Sequence, residues 1–120
     1  MKFAHQDLKA YQRSLDFKLL ADELTEKLPK GRGYIADQLR RAALSIPLNV
    51  AEGYSEFSHA EKARFYRISR RSATEAAACL DVCRRLNLVP VELIEEGEEI
   101  LISVLKLITG LIRSQAMQRG

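Results

Sequence analysis

Between Lys62 and Arg71 the chain places Lys62, Arg64, Arg67, Arg70 and Arg71 with no acid among them. Arg64, Arg67 and Arg71 recur at intervals of three and four, which puts them on one side of a helix. Arg84 and Arg85 continue the basic series two turns or more further on. A guanidinium grips a phosphate through a planar fork, and several on one side of a helix track a polyanion backbone. The chemistry these seven residues suggest is therefore holding a nucleic acid, DNA or RNA, rather than transforming it. Of the nearby aromatics, Tyr66 interleaves the arginines while Phe65 is assigned to the core, so reading of bases is not supported. A competing use exists in the same sequence. Glu92, Glu95, Glu96, Glu98 and Glu99 form an acidic run without a base, and they could pair the arginines across a subunit interface. That would make the chain a protein-interaction oligomer with no nucleic-acid ligand.

A second polar series, Gln38, Arg41, Ser45, Asn49 and Glu52, recurs at intervals of three, four, four and three. Glu52 and Glu56 form a carboxylate pair, but no histidine lies on this segment and no nucleophile sits in a tight turn, so a catalytic reading has no constellation behind it. Cys79 and Cys83 are four apart. A metal site needs more ligands than two, and His5 and His59 are remote in sequence. The cysteines are read as buried thiols. Neither a metal nor a cofactor is expected, and the chain is expected not to be an enzyme.

The elements that must position these residues are helices. The chain has 120 residues, 47% of them hydrophobic, and a net charge of +3. That length fits a single domain with one core spanning 1–120. No alternating β-branched run and no hairpin turn signal is present. Periodicity of 3.6 predicts four helices at about 7–28, 34–53, 58–87 and 91–117. Asp7 is read as the cap of the first, whose apolar residues form two arcs: Leu8, Tyr11, Leu15 and Leu19, then Phe17, Leu20, Leu24 and Leu28. "SHAE" (Ser58–Glu61) is a capping box opening the third. The expected core of that helix is Phe65, Ser69, Ser72, Ala76, Cys79, Leu80 and Cys83. Short connections between long amphipathic helices predict an all-α, antiparallel up-and-down four-helix bundle. The stretch Ile100–Ile112 is interrupted by Ser103, Lys106 and Thr109, which argues against a membrane span. The N-terminus lacks a signal-peptide core, so the expected location is the cytoplasm.

One residue defies the helical pattern. Pro47 lies within the second predicted helix, where it removes an amide, clashes with the preceding turn and costs about 3 kcal/mol. A bend is expected there, with the Ala43 carbonyl needing a new donor from Ser45, Asn49 or Arg41. The core stripe of this helix is Ile35, Leu39, Ala42, Ala43, Ile46 and Val50. Leu44 and Leu48 fall on the opposite side, which suggests a surface covered by another subunit.

"QLRRAALSIPLNVAEGYSE" (Gln38–Glu56), followed by "EKARFYRISRRSATE", resembles the signature of the 23S rRNA intervening-sequence proteins, also called the four-helix bundle protein family. The matching positions are Gln38, Leu39, Arg40, Arg41, Ala42, Ser45, Ile46, Pro47, Asn49, Ala51, Glu52 and Gly53, with "LKAYQ" (Leu8–Gln12) and Leu28–Pro29 also fitting. These motif residues are read as structural. The chain departs from the pattern at Arg71, where members often have glycine, and this enlarges the basic patch. The resemblance implies a bacterial four-helix bundle that assembles as a homo-oligomer, a pentamer in the family's architecture. It also implies kinship with accessory proteins of diversity-generating retroelements, which act beside a reverse transcriptase and nucleic acid.

Overall fold

The computed structural model describes residues 2–119 of the chain. It consists of a short 3-10 turn, Ala4–Asp7, followed by four helices: α1 (Lys9–Glu26), α2 (Gly33–Ser55), α3 (His59–Arg85) and α4 (Val91–Arg119). Each helix packs on its sequence neighbour, and α4 also closes back on α1. The result is the expected up-and-down bundle, 49 × 32 × 22 Å. At ~1.5 Å per residue, the longest helix accounts for most of the long dimension.

The helix ends have local causes. Asp7 does not cap α1, because it closes the 3-10 turn; Leu8 holds the cap position without a side-chain bond. The Ser58 hydroxyl accepts the Glu61 amide at 3.1 Å and opens α3 as the capping pattern requires. Asn87 adopts a left-handed φ of 53° after α3, and Leu88 N–H bonds back to the Cys83 carbonyl at 3.0 Å. This left-handed turn terminates the helix two residues before the expected end. Pro90 then precedes α4, where its missing amide costs nothing.

The core follows the predicted stripes closely in α2, where Ile35, Leu39, Ala42, Ala43, Ile46 and Val50 are all buried. In α1 the second arc is internal except for Leu28, which is half-buried beyond the helix end. Phe17, Leu20 and Leu24 are buried, while Leu15 and Leu19 point outward. In α3 the aromatic assignment is reversed: Tyr66 is 1% exposed and central to the core, and Phe65 is only half-buried. Cys79 is likewise half-buried rather than internal. Burial pushes both thiols above their usual pKa, with Glu75 adding to the rise at Cys79 and Cys79 to that at Cys83, so the neutral, unreactive form is favoured.

Gly53 explains the exchange of aromatics. A Cβ there would stand 2.7 Å from the Tyr66 ring, so the absence of a side chain in the last turn of α2 is what admits Tyr66 to the core. α4 is long and apolar enough by composition to cross a membrane. In this bundle its stripe of Ile94, Ile100, Leu101, Val104 and Ile108 forms the inner wall, while Ile102 on the outer side is 54% exposed.

Candidate nucleic-acid interface

Pro47 is buried inside α2, and the helix continues unbroken through it. The polar series around it does make side-chain bonds to the backbone, though not at the carbonyl expected. Asn49 Nδ2 donates to the Ser45 carbonyl at 2.8 Å and to Ser45 Oγ at 2.9 Å. Ser69 of α3, wholly buried, donates to the Ile46 carbonyl at 2.8 Å, and Ser72 Oγ donates to Ser45 Oγ at 2.8 Å. The carbonyls reached are those of residues 45 and 46, just before the proline, one from Asn49 of α2 and one from Ser69 of α3, while Ser72 of α3 meets the Ser45 hydroxyl. Arg41 is not among them. The motif thus ties α2 to α3 rather than repairing α2 from within.

Between those two helices lies an open groove of about 380 Å³. Gln38, Arg41, Ala42 and Ser45 line it from α2, and Ile68, Arg71, Ser72 and Glu75 from α3. Two stretches read separately in the sequence, the Gln38–Glu52 stripe and the arginine series, meet here. Arg40, although adjacent to Arg41, turns to the other side of α2, where it borders a hollow of about 280 Å³ with Lys30 and Arg32. A helix rotates ~100° per residue, which is enough to separate neighbours in this way.

The seven basic residues divide into two groups. Three have structural partners. Lys62 donates its ammonium to the Tyr54 carbonyl at 2.7 Å and sits 5.3 Å from the Tyr54 ring, closing the end of α2. Arg64 pairs with Glu61 at 2.9 Å and lies 4.4 Å over the Phe65 ring. Arg84 makes a two-pronged bond to Glu98 of α4, one prong at 2.8 Å. That last pair moves one glutamate of the acidic run from an expected partner across subunits to one within the chain. Its hydrogen bonds hold the Glu98 carboxyl below its usual pKa, and those of Arg64 do the same for Glu61. Among the described residues, Arg67, Arg70, Arg71 and Arg85 have no acid within ion-pair distance. Arg67, Arg71 and Arg85 are exposed, and Arg70 is half-buried.

Leu44 and Leu48 lie outward on α2, 46% and 53% exposed, as do Leu15 and Leu19 on α1, 40% and 72%. Phe57, in the short turn between α2 and α3, is 99% exposed. Sequence reasoning passed over it, because a lone aromatic between a helix end and a capping box belongs to no periodic stripe.

These features define an antiparallel four-helix bundle with unpaired arginines along the outer side of α3 and a polar groove between its second and third helices. The chain belongs to the 23S rRNA-intervening sequence protein family, whose model matches residues 6–110. Among solved structures it is similar to a protein of unknown function from the S23 ribosomal protein family of Bacteroides thetaiotaomicron. The TM-score is 0.79 at 22% identity, over 86% of this chain and 97% of that one, a likeness of fold. No curated protein matches the chain.

Proposed function

We propose that this protein is a non-catalytic bundle that assembles with copies of itself and holds a nucleic-acid backbone along the outer side of α3. The observation that carries this reading is the pair Arg41 and Arg71 on one groove, neither with a carboxylate at ion-pair distance among the described residues. Arg67 extends the same outer side one turn toward the start of α3. A cation left unpaired beside polar groups such as Gln38, Ser45 and Ser72 suits a phosphate oxygen, which takes charge from the fork and hydrogen bonds from the neutral donors. Assembly strengthens the idea. Repeating a modest basic face around a ring multiplies both field and avidity, and the outward leucines of α1 and α2 supply an apolar surface for a second copy.

The test is retention of RNA and DNA as a function of salt. Each lost phosphate contact lowers the log–log salt slope by about 0.7 on a single strand and about 0.9 on a duplex. Replacing Arg67 and Arg71 with alanine is expected to reduce the single-strand slope by about 1.4 while the mass by light scattering is unchanged. Absence of retention at low salt overturns the reading. If the same variant breaks the assembly instead, the alternative stands: a protein-interaction oligomer whose arginines join subunits. Arg84 already binds Glu98 within the chain, so that alternative draws on Glu92, Glu95, Glu96 and Glu99 as the partners across subunits.

A further inference from the structure

Phe57 has almost no contact with its own chain, being 99% exposed in the turn that leads into α3. It stands at the N-terminal end of the helix whose outer side bears Arg67 and Arg71. Its surroundings are aromatic and cationic. The Arg64 guanidinium carbon lies 4.4 Å from the centre of the Phe65 ring, and the Lys62 ammonium sits 5.3 Å from the centre of the Tyr54 ring. Acids are present too, but one of them is committed: Glu61 pairs with Arg64 at 2.9 Å. Glu56 adjoins Phe57 in sequence and acts on Arg64 through space. The tip is therefore close to charge-balanced, and it offers ring surface rather than net positive field. The field comes from Arg67 and Arg71 further along α3.

We infer that the α2–α3 turn is a base-stacking tip and that the nucleic acid this protein holds is single-stranded, with an unpaired base lying on Phe57. This deepens the proposed function and rests on it. A paired base has no free face to offer, whereas in a single strand any base can stack on an exposed ring, regardless of sequence. A strand with one base on Phe57 and its backbone running toward the C-terminus of α3 passes Arg67 and Arg71 in turn. At ~1.5 Å rise per residue those arginines lie about 12 and 18 Å along α3 from its first residue, His59, with Phe57 just ahead of the helix start. The tip gives affinity without ionic contacts, and the arginines give the salt dependence.

The chain contains no tryptophan, so Phe57→Trp places a unique fluorophore at the tip. Its emission is expected at a water-exposed wavelength in free protein and to be quenched by a short oligoadenylate, but not by a duplex of equal length. Phe57→Ala is expected to weaken oligoadenylate binding by about 5- to 150-fold with an unchanged salt slope, since stacking neutralises no phosphate. So exposed a side chain leaves folding unaffected, and helical circular dichroism checks this. Oligoadenylate binding equal to the native protein's in Phe57→Ala overturns the inference, as does an altered salt slope. A blue-shifted, concentration-dependent tryptophan emission also overturns it, because the ring is then covered by a second copy. If the native protein retains neither strand form at low salt, the proposed function itself has failed. Retention with Phe57 indifferent removes only the stacking tip.

Discussion

The close approach of Tyr66 to Gly53 makes a quantitative prediction. An alanine Cβ at position 53 would stand 2.7 and 2.8 Å from two Tyr66 ring carbons and 3.1 Å from the Phe65 Cβ. Carbon atoms prefer separations of about 3.5–4.0 Å. The Tyr66 ring is held on every side in the core, so it cannot swing away, and the Phe65 Cβ moves only with the α3 backbone. Overpacking of this kind costs about 1–3 kcal/mol, here toward the upper end. Against it stands the gain of about 1 kcal/mol for replacing glycine by alanine within a helix. The net expectation for Gly53→Ala is a loss of about 1–2 kcal/mol, or a fall in Tm of about 4–8 °C for a domain of this size. Gly110 is the control. A Cβ there meets nothing within 4 Å, so Gly110→Ala keeps the whole helical gain and raises Tm by about 4 °C. Both are read by thermal circular dichroism at one matched chain concentration, because the proposed assembly would couple Tm to concentration. A Gly53→Ala protein that melts at or above the native temperature, or two glycines that shift in the same direction, would refute the packing argument.

Ser69→Ala removes the buried bond to the Ile46 carbonyl and is expected to cost about 0.5–1.5 kcal/mol in urea unfolding, with m unchanged. Pro47→Ala restores an amide worth about 3 kcal/mol of helix propensity and loses roughly two buried methylenes at ~0.8 kcal/mol each. Its expected net gain is about 1 kcal/mol by the same measurement. Glu98→Gln tests the Arg84 pair by pH. The carboxyl sits below its ordinary 4.5 in the folded chain, so its contribution is present above that value and fades as pH falls through the folded pKa. The variant is expected to be less stable than the native protein at neutral pH, with the difference closing in acid. A difference that persists at the lowest pH would show that packing, not the ion pair, is responsible.

What the sequence made legible was whatever depends on one helix alone. The buried stripe of α2 follows from spacing, as does the Ser58 cap of α3. Features that need two helices in register were hidden. Tyr66 and Phe65 are neighbours about 100° apart at the edge of the core, and only the space left by Gly53 on another helix decides which one enters. The Arg84–Glu98 bond depends on how α3 and α4 align. The groove itself was invisible for the same reason: Arg41 and Arg71 lie on different helices, and their shared lining appears only once those helices pack. Phe57 was missed because periodic patterns describe side chains that are covered.

The hydroxyl bonds at Pro47 have a mechanical consequence. Apolar stripes are permissive, since a helix can slide one turn along its neighbour and find another methyl to touch. Ser69 and Ser72 are not permissive, because they meet one carbonyl and one hydroxyl on α2. A slip of one turn, ~5.4 Å, would break both bonds together and strand a buried hydroxyl. The hairpin of α2 and α3 therefore behaves as a keyed joint. α4 is also tied to α3, by the Arg84–Glu98 pair and by His59 Nδ1 against Gln115 Oε1 at 2.6 Å. If the bundle shifts its helices when it assembles or takes up a ligand, the sliding part is α1, and the groove with its arginines travels as one rigid piece.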